Sequence, residues 1–254
     1  FGTGNYNENT ARIYSDISYM TKDNDLGLDA SACFNAICGY SEIPAFLKIS
    51  MSPGGIRDCL LRNIDCETKR ALAGEKALIM AKMNSLVDDK IISALYNASR
   101  AGVTVLLNVR GICCLNPSVK PYSTNIKVIS IVDRYLEHSR IFYFYNGGKE
   151  DVYISSADWM PRNFDRRIEL MVPVEEKKLR EEMIFILSIY FQDNVKARIM
   201  KKNNVFERVH PQKNEKKIRS QEKLYRYFTD VYKMNKDSMQ KNILEPLLPA
   251  KDND

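Results

Sequence analysis

Apolar and polar positions form two patterns along this chain, short apolar runs and amphipathic segments, and together they predict an α/β fold. Two short apolar runs, residues 77–83 and 103–109, enclose an amphipathic segment at residues 88–99 that Gly102 ends. A strand, a short crossover helix and a second strand are typical of a parallel pair within one sheet. We therefore expect a buried mixed sheet flanked by helices.

Further segments extend this sheet. Residues 126–132 predict a third strand, and residues 141–145 and 152–155 flank Asn146-Gly147-Gly148, a pattern typical of a β-hairpin. Residues 167–172 predict another strand, which Pro173 ends, and part of residues 10–21 also favours a strand. Helices are predicted at residues 26–40, 56–73, 175–191 and 221–234. Residues 196–217 predict a basic linker, and residues 235–254 a frayed polar tail.

Composition is that of a globular protein and identifies no partner. Of the 254 residues, 44% are hydrophobic and 28% charged, and the net charge of +6 is compatible with a polyanionic partner without specifying one. No apolar run approaches the roughly 20 residues of a membrane span, and no signal peptide is recognisable, so we expect a cytoplasmic protein. The six cysteines form no C-x-x-C pair, which favours reduced thiols over a zinc site.

His138 and Arg110 are the first candidates for chemistry. His138 is one of only two histidines, lies two residues before Arg140, and precedes the predicted hairpin. An imidazole can relay a proton near neutral pH, and arginine forks match phosphate oxygens. Arg110 follows residues 103–109, and open α/β sheets bind ligands at the carboxyl ends of parallel strands. These residues indicate phosphate chemistry. An exposed His–Arg pair and a solvated strand-end arginine are the structural alternatives.

Two small-residue turns indicate a faint internal repeat. Gly2-Thr3-Gly4-Asn5 and Ser155-Ser156-Ala157-Asp158 each precede an arginine and then a predicted strand. A repeat of this kind predicts two similar halves that face each other. Pro44, Pro53, Gly54 and Gly55 predict a domain boundary between them.

Four segments are long and unusual enough to indicate a family: GTGNYNENTARIYSDISYMT at 2–21, VRG at 109–111, ISIVDRYLEHSRIFYF at 129–144 and YISSADWMPRNFDRRIE at 153–169. Together they resemble polyphosphate kinases of the phosphohistidine type, whose carboxyl-terminal half resembles the phospholipase D superfamily. The resemblance runs from residue 1 to about residue 217 without an obvious gap. The chain also begins without methionine and in mid-pattern, so we expect a fragment.

The resemblance implies both a fold and a reaction. Residues 1–47 would end the first of two phospholipase-D-like domains, and residues 48–254 would form the second, with its C-terminal helix and tail. The reaction is a reversible transfer of the terminal phosphate of ATP to inorganic polyphosphate, through a phosphohistidine and with Mg²⁺. ATP, ADP and polyphosphate are then the partners, and nucleic acid is not. The resemblance also implies a homo-oligomer and is compatible with peripheral association with a membrane.

The resemblance assigns roles to three residues. Tyr14 would pack at the nucleotide, Arg110 would contact the ATP phosphates, and His138 would contact the phosphates and assist transfer. No metal ligand is expected in this chain. The phosphorylated histidine of the family lies in a His-x-Lys motif, which this sequence does not contain, so we expect the chain alone to be inactive. From charge alone, we expect four cations to line a channel for polyphosphate: Lys82, Arg162, Arg166 and Arg167.

Two other functions stay open at this point. A phospholipase-D-like phosphodiesterase uses two His-x-Lys halves, and Arg140 in place of lysine counts against it. A non-catalytic polyanion-binding domain is compatible with the mild positive charge. A P-loop kinase is excluded for this chain because no G-x-x-x-x-G-K-[ST] sequence occurs.

Overall fold

A mixed β-sheet with helices on both faces organises the computed structural model, which describes residues 1–40, 42 and 44–240. Within these residues the strands are β1 (Tyr14–Ser15), β2 (Ser50–Ser52), β3 (Leu78–Met83), β4 (Thr104–Val109), β5 (Ile126–Ile131), β6 (Leu136–Glu137), β7 (Arg140–Phe144), β8 (Asp151–Ser155), β9 (Glu169–Pro173), β10 (Ala197–Met200) and β11 (Phe206–Arg208). The helices are α1 (Glu8–Ala11), α2 (Asn24–Ile37), α3 (Gly55–Leu72), α4 (Asp89–Ala101), α5 (Pro161–Asp165), α6 (Lys177–Phe191) and α7 (Ser220–Gln240). The main sheet has the order β11-β10-β5-β4-β3-β7-β8-β9-β2, and β1 pairs separately with β6.

The parallel centre of the sheet comes from the predicted strand–helix–strand unit. β3 and β4 pair in parallel up to Met83 and Val109, and β5 continues the parallel pairing beyond β4. The Asp88 carboxylate accepts the Ile91 N–H at 3.1 Å and caps α4. Gly102 ends this helix with a left-handed φ of 108°, which L side chains rarely adopt. The predicted mixed sheet flanked by helices is confirmed.

The predicted hairpin positions the segment that contains His138. β7 and β8 are antiparallel, and a short 3₁₀ turn at Asn146–Gly148 joins their ends. β7 also runs antiparallel to β3, with Ile141 opposite Lys82 near the carboxyl end of β3. The residues that precede β7 therefore lie at the edge of the sheet where β3 and β4 end.

Residues 196–217 are not a linker, so this prediction is wrong. β10 pairs antiparallel with β5, and β11 pairs with β10, which extends the sheet by two strands. Ala197 and Met200 are buried, but β10 is only four residues long and lies among lysines and arginines. A run this short carries too little alternation to indicate a strand.

Two other predictions concern the ends of the chain. The strand expected in part of residues 10–21 is present as β1, which has only two residues, and the helical turn α1 before it is capped by Asn7 through bonds to the Asn9 and Thr10 N–H groups. α7 continues to Gln240, so residues 235–240 are helical rather than frayed. The rest of the predicted tail, residues 241–254, lies outside the described residues.

The sheet separates two apolar cores. One core packs α3 and α4 against one face, with Ile56, Leu60 and Leu95 fully buried. The other packs α6 against the opposite face through its predicted apolar stripe, which includes Leu187 and Tyr190. In the part of the chain that the structure describes, no helix has the length and apolar character that crossing a membrane requires.

Two leucines of α3 provide a matched test of this core. Leu60 is fully buried, whereas Leu72, twelve residues further along the same helix, is 72% exposed. We expect Leu60→Ala to lower the free energy of unfolding by about 2–5 kcal/mol, because it opens a cavity between α3 and the sheet. Leu72→Ala should change it by less than about 0.5 kcal/mol. Urea unfolding measures both, and equal losses would contradict this assignment of the core.

Candidate functional site

Several chain segments meet at the edge of the sheet where β3 and β4 end. Arg110 directly follows β4, and His138 lies between β6 and β7. β1 pairs in parallel with β6, which brings Tyr14 beside this segment. The ring centroids of Tyr14 and His138 are 4.9 Å apart. The structure therefore places residues far apart in sequence, including all three predicted site residues, at one edge.

His138 forms a dyad with Asp16. Its Nδ1 atom lies 2.9 and 3.0 Å from the two carboxylate oxygens of Asp16. Burial raises the pKa of Asp16, but hydrogen bonds from His138 and Thr3, with the nearby charges of His138 and Arg140, outweigh burial and lower it overall. A carboxylate at Nδ1 favours the tautomer that carries its proton there. The Nε2 atom of a neutral His138 then keeps its lone pair.

Arg140 joins the two small-residue turns. Its Nη1 donates to the Thr3 carbonyl at 2.8 Å, and its Nε and Nη2 lie 3.3 and 3.2 Å from the two oxygens of Asp158. The same Nη1 is 3.2 Å from His138 Nε2. Arg140 is only 7% exposed, so the alternative of an exposed His–Arg pair is wrong. One buried guanidinium thus contacts both turns and the imidazole.

Asn84 connects Arg110 to the same group. Its side-chain oxygen accepts from Arg110 Nε at 3.0 Å, and its side-chain nitrogen donates to the His138 carbonyl at 3.2 Å. Its backbone N–H donates to Asp158 at 2.7 Å. Asn84 is 4% exposed, and these partners satisfy the side chain at both ends. The guanidinium of Arg110 is thereby held in a fixed position relative to His138.

The sequence analysis missed Asn84 and Asp16, although each carried a signal. Asn84 directly follows β3, the neighbour of β4, so it occupies the same edge as Arg110. Asp16 lies two residues after Tyr14, and alternate residues of an extended segment share a face. A side chain at Gly4 would overlap the Asp16 carboxylate, which explains the glycine in this turn.

An open cavity adjoins the dyad. It has a volume of about 230 Å³, and its lining includes Gly4, Asn5, Tyr14 and Asp16. Among the residues that the structure describes, the lining also includes Tyr6 and contains no arginine or histidine, so the tyrosine rings are what this space offers to a planar group. Within the described residues, no group of three His, Cys, Asp or Glu side chains could hold a metal ion.

The predicted polyphosphate channel needs one correction. Lys82 is only 2% exposed and pairs with Glu137 at 3.1 Å, so its prediction as a channel-lining residue is wrong. Lys82 lies on β3, a central strand between β4 and β7, and helices cover both faces of the sheet there. A side chain from this strand therefore points into a buried core. The other three cations are exposed and stay a prediction: Arg162, Arg166 and Arg167.

Comparison with known protein families finds two adjacent matches. The model described as polyphosphate kinase C-terminal domain 2 matches residues 49–221, and the model described as polyphosphate kinase C-terminal domain 1 matches residues 1–43. A polyphosphate kinase of Rhodopirellula baltica is 49% identical over 240 residues, which cover 94% of this chain and 28% of the relative. A polyphosphate kinase of Vibrio vulnificus is 45% identical over 248 residues, which cover 96% of this chain and 35% of the relative.

A solved structure shares the fold. The crystal structure of polyphosphate kinase from Porphyromonas gingivalis superposes with a TM-score of 0.88 at 42% identity. The superposition covers 92% of this chain and 36% of that protein. The chain therefore spans about a third of the length of the relatives that it matches.

The contact between Asp16 and Nδ1 predicts which tautomer His138 adopts. In its neutral form, His138 should carry its proton on Nδ1 because Asp16 accepts it. Asp16→Ala should shift the proton to Nε2, the position that free imidazole side chains favour. The ¹⁵N chemical shifts of the imidazole nitrogens report the tautomer, and the exposed His210 is the internal reference. An unchanged His138 spectrum in Asp16→Ala would argue against the dyad.

Proposed function

Because this chain belongs to the polyphosphate kinase family, we propose that it supplies part of the nucleotide and phosphate-transfer site of such an enzyme. The reaction is the reversible transfer of the terminal phosphate of ATP to inorganic polyphosphate. The chain spans about a third of its relatives' length, so the activity is proposed for the parent protein. The observation that supports the proposal most strongly is the linked set of His138, Asp16, Arg140 and Arg110 at one sheet edge.

Arg110 is suited to neutralise phosphate oxygens. Phosphoryl transfer depends mainly on positioning and on stabilisation of charge on the equatorial oxygens. Asn84 holds Arg110 through Nε, and a guanidinium fixed there presents its terminal nitrogens as a fork. Tyr14 beside the dyad is suited to pack against the nucleotide. These two residues would bind the two ends of ATP.

His138 is suited to assist transfer rather than to bind alone. Asp16 fixes Nδ1, and Nε2 is the ring atom left for the substrate side of the dyad. When the ring carries a proton on Nε2 as well as on Nδ1, the positioned imidazolium can donate the Nε2 proton to the departing group, by the same logic as other His–carboxylate pairs. Arg140 adds a permanent positive charge 3.2 Å from Nε2 that would attract a phosphate.

The nucleophile of the proposal lies outside these 254 residues. A phosphohistidine splits one transfer between anions into two easier steps. The family resemblance assigns it to a His-x-Lys motif, and neither His138 nor His210 lies in one. We therefore propose that this chain on its own does not synthesise polyphosphate.

Mg²⁺ belongs to the proposal as the ion that accompanies nucleotide phosphates. Magnesium is commonly bound by one or two carboxylates together with substrate phosphates. Around His138, the two nearest carboxylates are already engaged, Asp16 by the imidazole and Asp158 by Arg140. We assign no magnesium ligand and no magnesium-dependent step to the described part of this chain.

A basic surface at the start of α7 is suited to a polyanion. Two adjoining cavities, of about 440 and 340 Å³, share Arg219 and Arg226 in their lining. Asp133 pairs with Arg219 and Glu222 pairs with Arg226, yet cations remain in excess. Linear phosphate chains bind such clusters through charge, as nucleic-acid backbones do. The other basic residues that line the cavities are Arg134, Lys216, Lys217 and Lys223.

The resemblance supports further proposals about the parent protein. We infer a homo-oligomer that works in the cytoplasm, where ATP is supplied, and whose contact with a membrane is at most peripheral. The rival reading as a phosphodiesterase is less well supported, because Arg140 replaces the lysine that such sites use and is bound to Asp158. A non-catalytic polyanion-binding domain could use the basic surface at the start of α7, but it would leave the linked set of His138, Asp16, Arg140 and Arg110 without a role.

Replacement of His138 tests the function. The parent protein should form acid-labile polyphosphate and ADP from ATP and Mg²⁺, and His138→Ala should lower kcat by about 10²–10⁴-fold through loss of a positioned acid. His210→Ala is the matched control and should keep full activity, because His210 is exposed and remote in sequence from the site. Cleavage of a phosphodiester substrate without polyphosphate synthesis would contradict the proposal and would support a phosphodiesterase instead.

Replacement of Arg110 tests the phosphate clamp. Arg110→Ala in the parent protein should lower kcat/KM for ATP by about 10²–10³-fold, because the guanidinium would stabilise charge that is greatest in the transition state. Arg100→Ala, an exposed arginine of α4, is the control and should leave kcat/KM unchanged. Equal kinetics for the two variants would remove Arg110 from the site.

A further inference from the structure

A buried ion pair lies directly beneath the His138 dyad. Lys82 Nζ is 3.1 Å from the Glu137 carboxylate, and both side chains are only 2% exposed. Burial lowers the pKa of Lys82, and the charge of Glu137 opposes this effect. A buried pair of this kind contributes little to stability compared with apolar residues of similar size. Stability alone therefore does not explain why this ion pair lies beside the site.

Lys82 holds the backbone and side chain of the residue that follows His138. Its ammonium group donates to the Ser139 carbonyl at 3.0 Å and to the Ser139 hydroxyl at 2.8 Å. Together with Glu137, these acceptors occupy the three N–H bonds of a protonated amine. The Tyr190 ring, whose centroid is 5.1 Å from Nζ, covers the group from α6.

Glu137 holds the residue that lies between Tyr14 and Asp16. Its carboxylate accepts from the Ser15 hydroxyl at 3.1 Å and from the Gln221 side chain at 2.8 Å. The Tyr190 hydroxyl is a further partner. The carboxylate thus connects β1, α6 and α7 at a single point, one residue before His138.

Backbone bonds complete the connection between β1 and the His138 turn. The Ser15 carbonyl accepts the N–H groups of His138 and Ser139 at 3.2 and 2.9 Å. Ser15 is therefore bonded to residues on both sides of His138 and to His138 itself, while its own neighbours are Tyr14 and Asp16. A shift of β1 relative to this turn would separate Asp16 from the imidazole.

We propose that Lys82 and Glu137 are positioning residues: their ion pair holds the Tyr14–Asp16 segment and His138 in the register that the phosphate-transfer site requires. This inference rests on the proposed function for its effect on catalysis. Neither residue is proposed to touch the substrate, since both are buried. Their effect reaches the reaction through Asp16 and His138, and a misplacement of about 1 Å in such a group can lower a rate by about 10²-fold.

The first test compares two buried glutamates, Glu137 and Glu67, which bond to groups near opposite ends of β3. Glu137→Gln in the parent protein should lower kcat by about 10²-fold and change KM for ATP by less than about threefold. Glu67→Gln is the matched control, because Glu67 is also fully buried but bonds the Leu78 and Asn146 N–H groups at the far end of β3. The control should keep its kcat, even where its Tm falls as much as that of Glu137→Gln.

A second variant separates positioning from stability. Lys82→Gln/Glu137→Gln removes both charges together, so it leaves no uncompensated buried charge and should fold. Its Tm should approach that of the wild type while its kcat stays low, because two amides cannot reproduce the three bonds of the ammonium group. Recovery of kcat together with Tm would reduce the pair to a structural role and overturn the proposal.

The ¹⁵N spectrum of the His138 imidazole distinguishes this proposal from the proposed function. If the wild-type parent makes no polyphosphate, the function fails, but loss of the Nδ1-protonated signal in Glu137→Gln would still support positioning of the dyad. If the wild type is active and Glu137→Gln keeps both its kcat and the wild-type imidazole spectrum, the function stands and positioning by Glu137 is refuted.

Discussion

The buried pair of Lys82 and Glu137 is the interaction on which the candidate site depends. A charged amine in the middle of a sheet is costly unless every N–H finds a partner, and each of the three does. This requirement fixes the positions of β3, β6 and the start of β7 relative to one another. Because Glu137 also accepts from Ser15 and Gln221, the same requirement fixes β1 and α7. The geometry of the dyad of His138 and Asp16 therefore depends on buried groups that do not face the ligand.

The site is assembled from short, irregular pieces on a regular scaffold. β1 and β6 contain two residues each and could not persist as an isolated pair. They are held because the residues beside them carry side chains that bond across the junction, Arg140 to Thr3 and His138 to Asp16. The long parallel strands β3 and β4 supply the rigid edge. At this edge the Asn84 side chain hydrogen-bonds both Arg110 and the His138 carbonyl. Rigid strands thus position Arg110, while the paired side chains position the dyad of His138 and Asp16.

The sequence was sufficient for the parts of the fold that repeat a pattern over many residues. The strand–helix–strand unit around residues 77–109, the hairpin and α6 followed from periodicity and from Gly102 and the Asn-Gly turn. β10 and β11 could not be recognised, because β10 is ordered by its pairing with β5, and β11, which is largely exposed, by its pairing with β10. Among the site residues, Arg110 and His138 could be found from strand ends and scarcity. Asp16, Asn84 and the burial of Lys82 depend on contacts over 26 to 122 positions, which one sequence does not encode in any local pattern.

Arginine rather than lysine at position 140 has a physical reason that also bears on the surroundings of His138. A lysine has a single nitrogen, whereas the guanidinium of Arg140 contacts the Thr3 carbonyl, both oxygens of Asp158 and the imidazole at once. It therefore joins the two small-residue turns in a way that lysine could not. Its Nη1 also lies 3.2 Å from Nε2 and 3.4 Å from Nδ1 of His138, so a permanent positive charge stands beside both ring nitrogens. Such a charge would draw anionic oxygens toward the ring, which the proposed role of His138 in phosphate transfer requires. Arginine at this position therefore serves the fold and the proposed site together, because one guanidinium joins the two turns and places a permanent charge beside the imidazole.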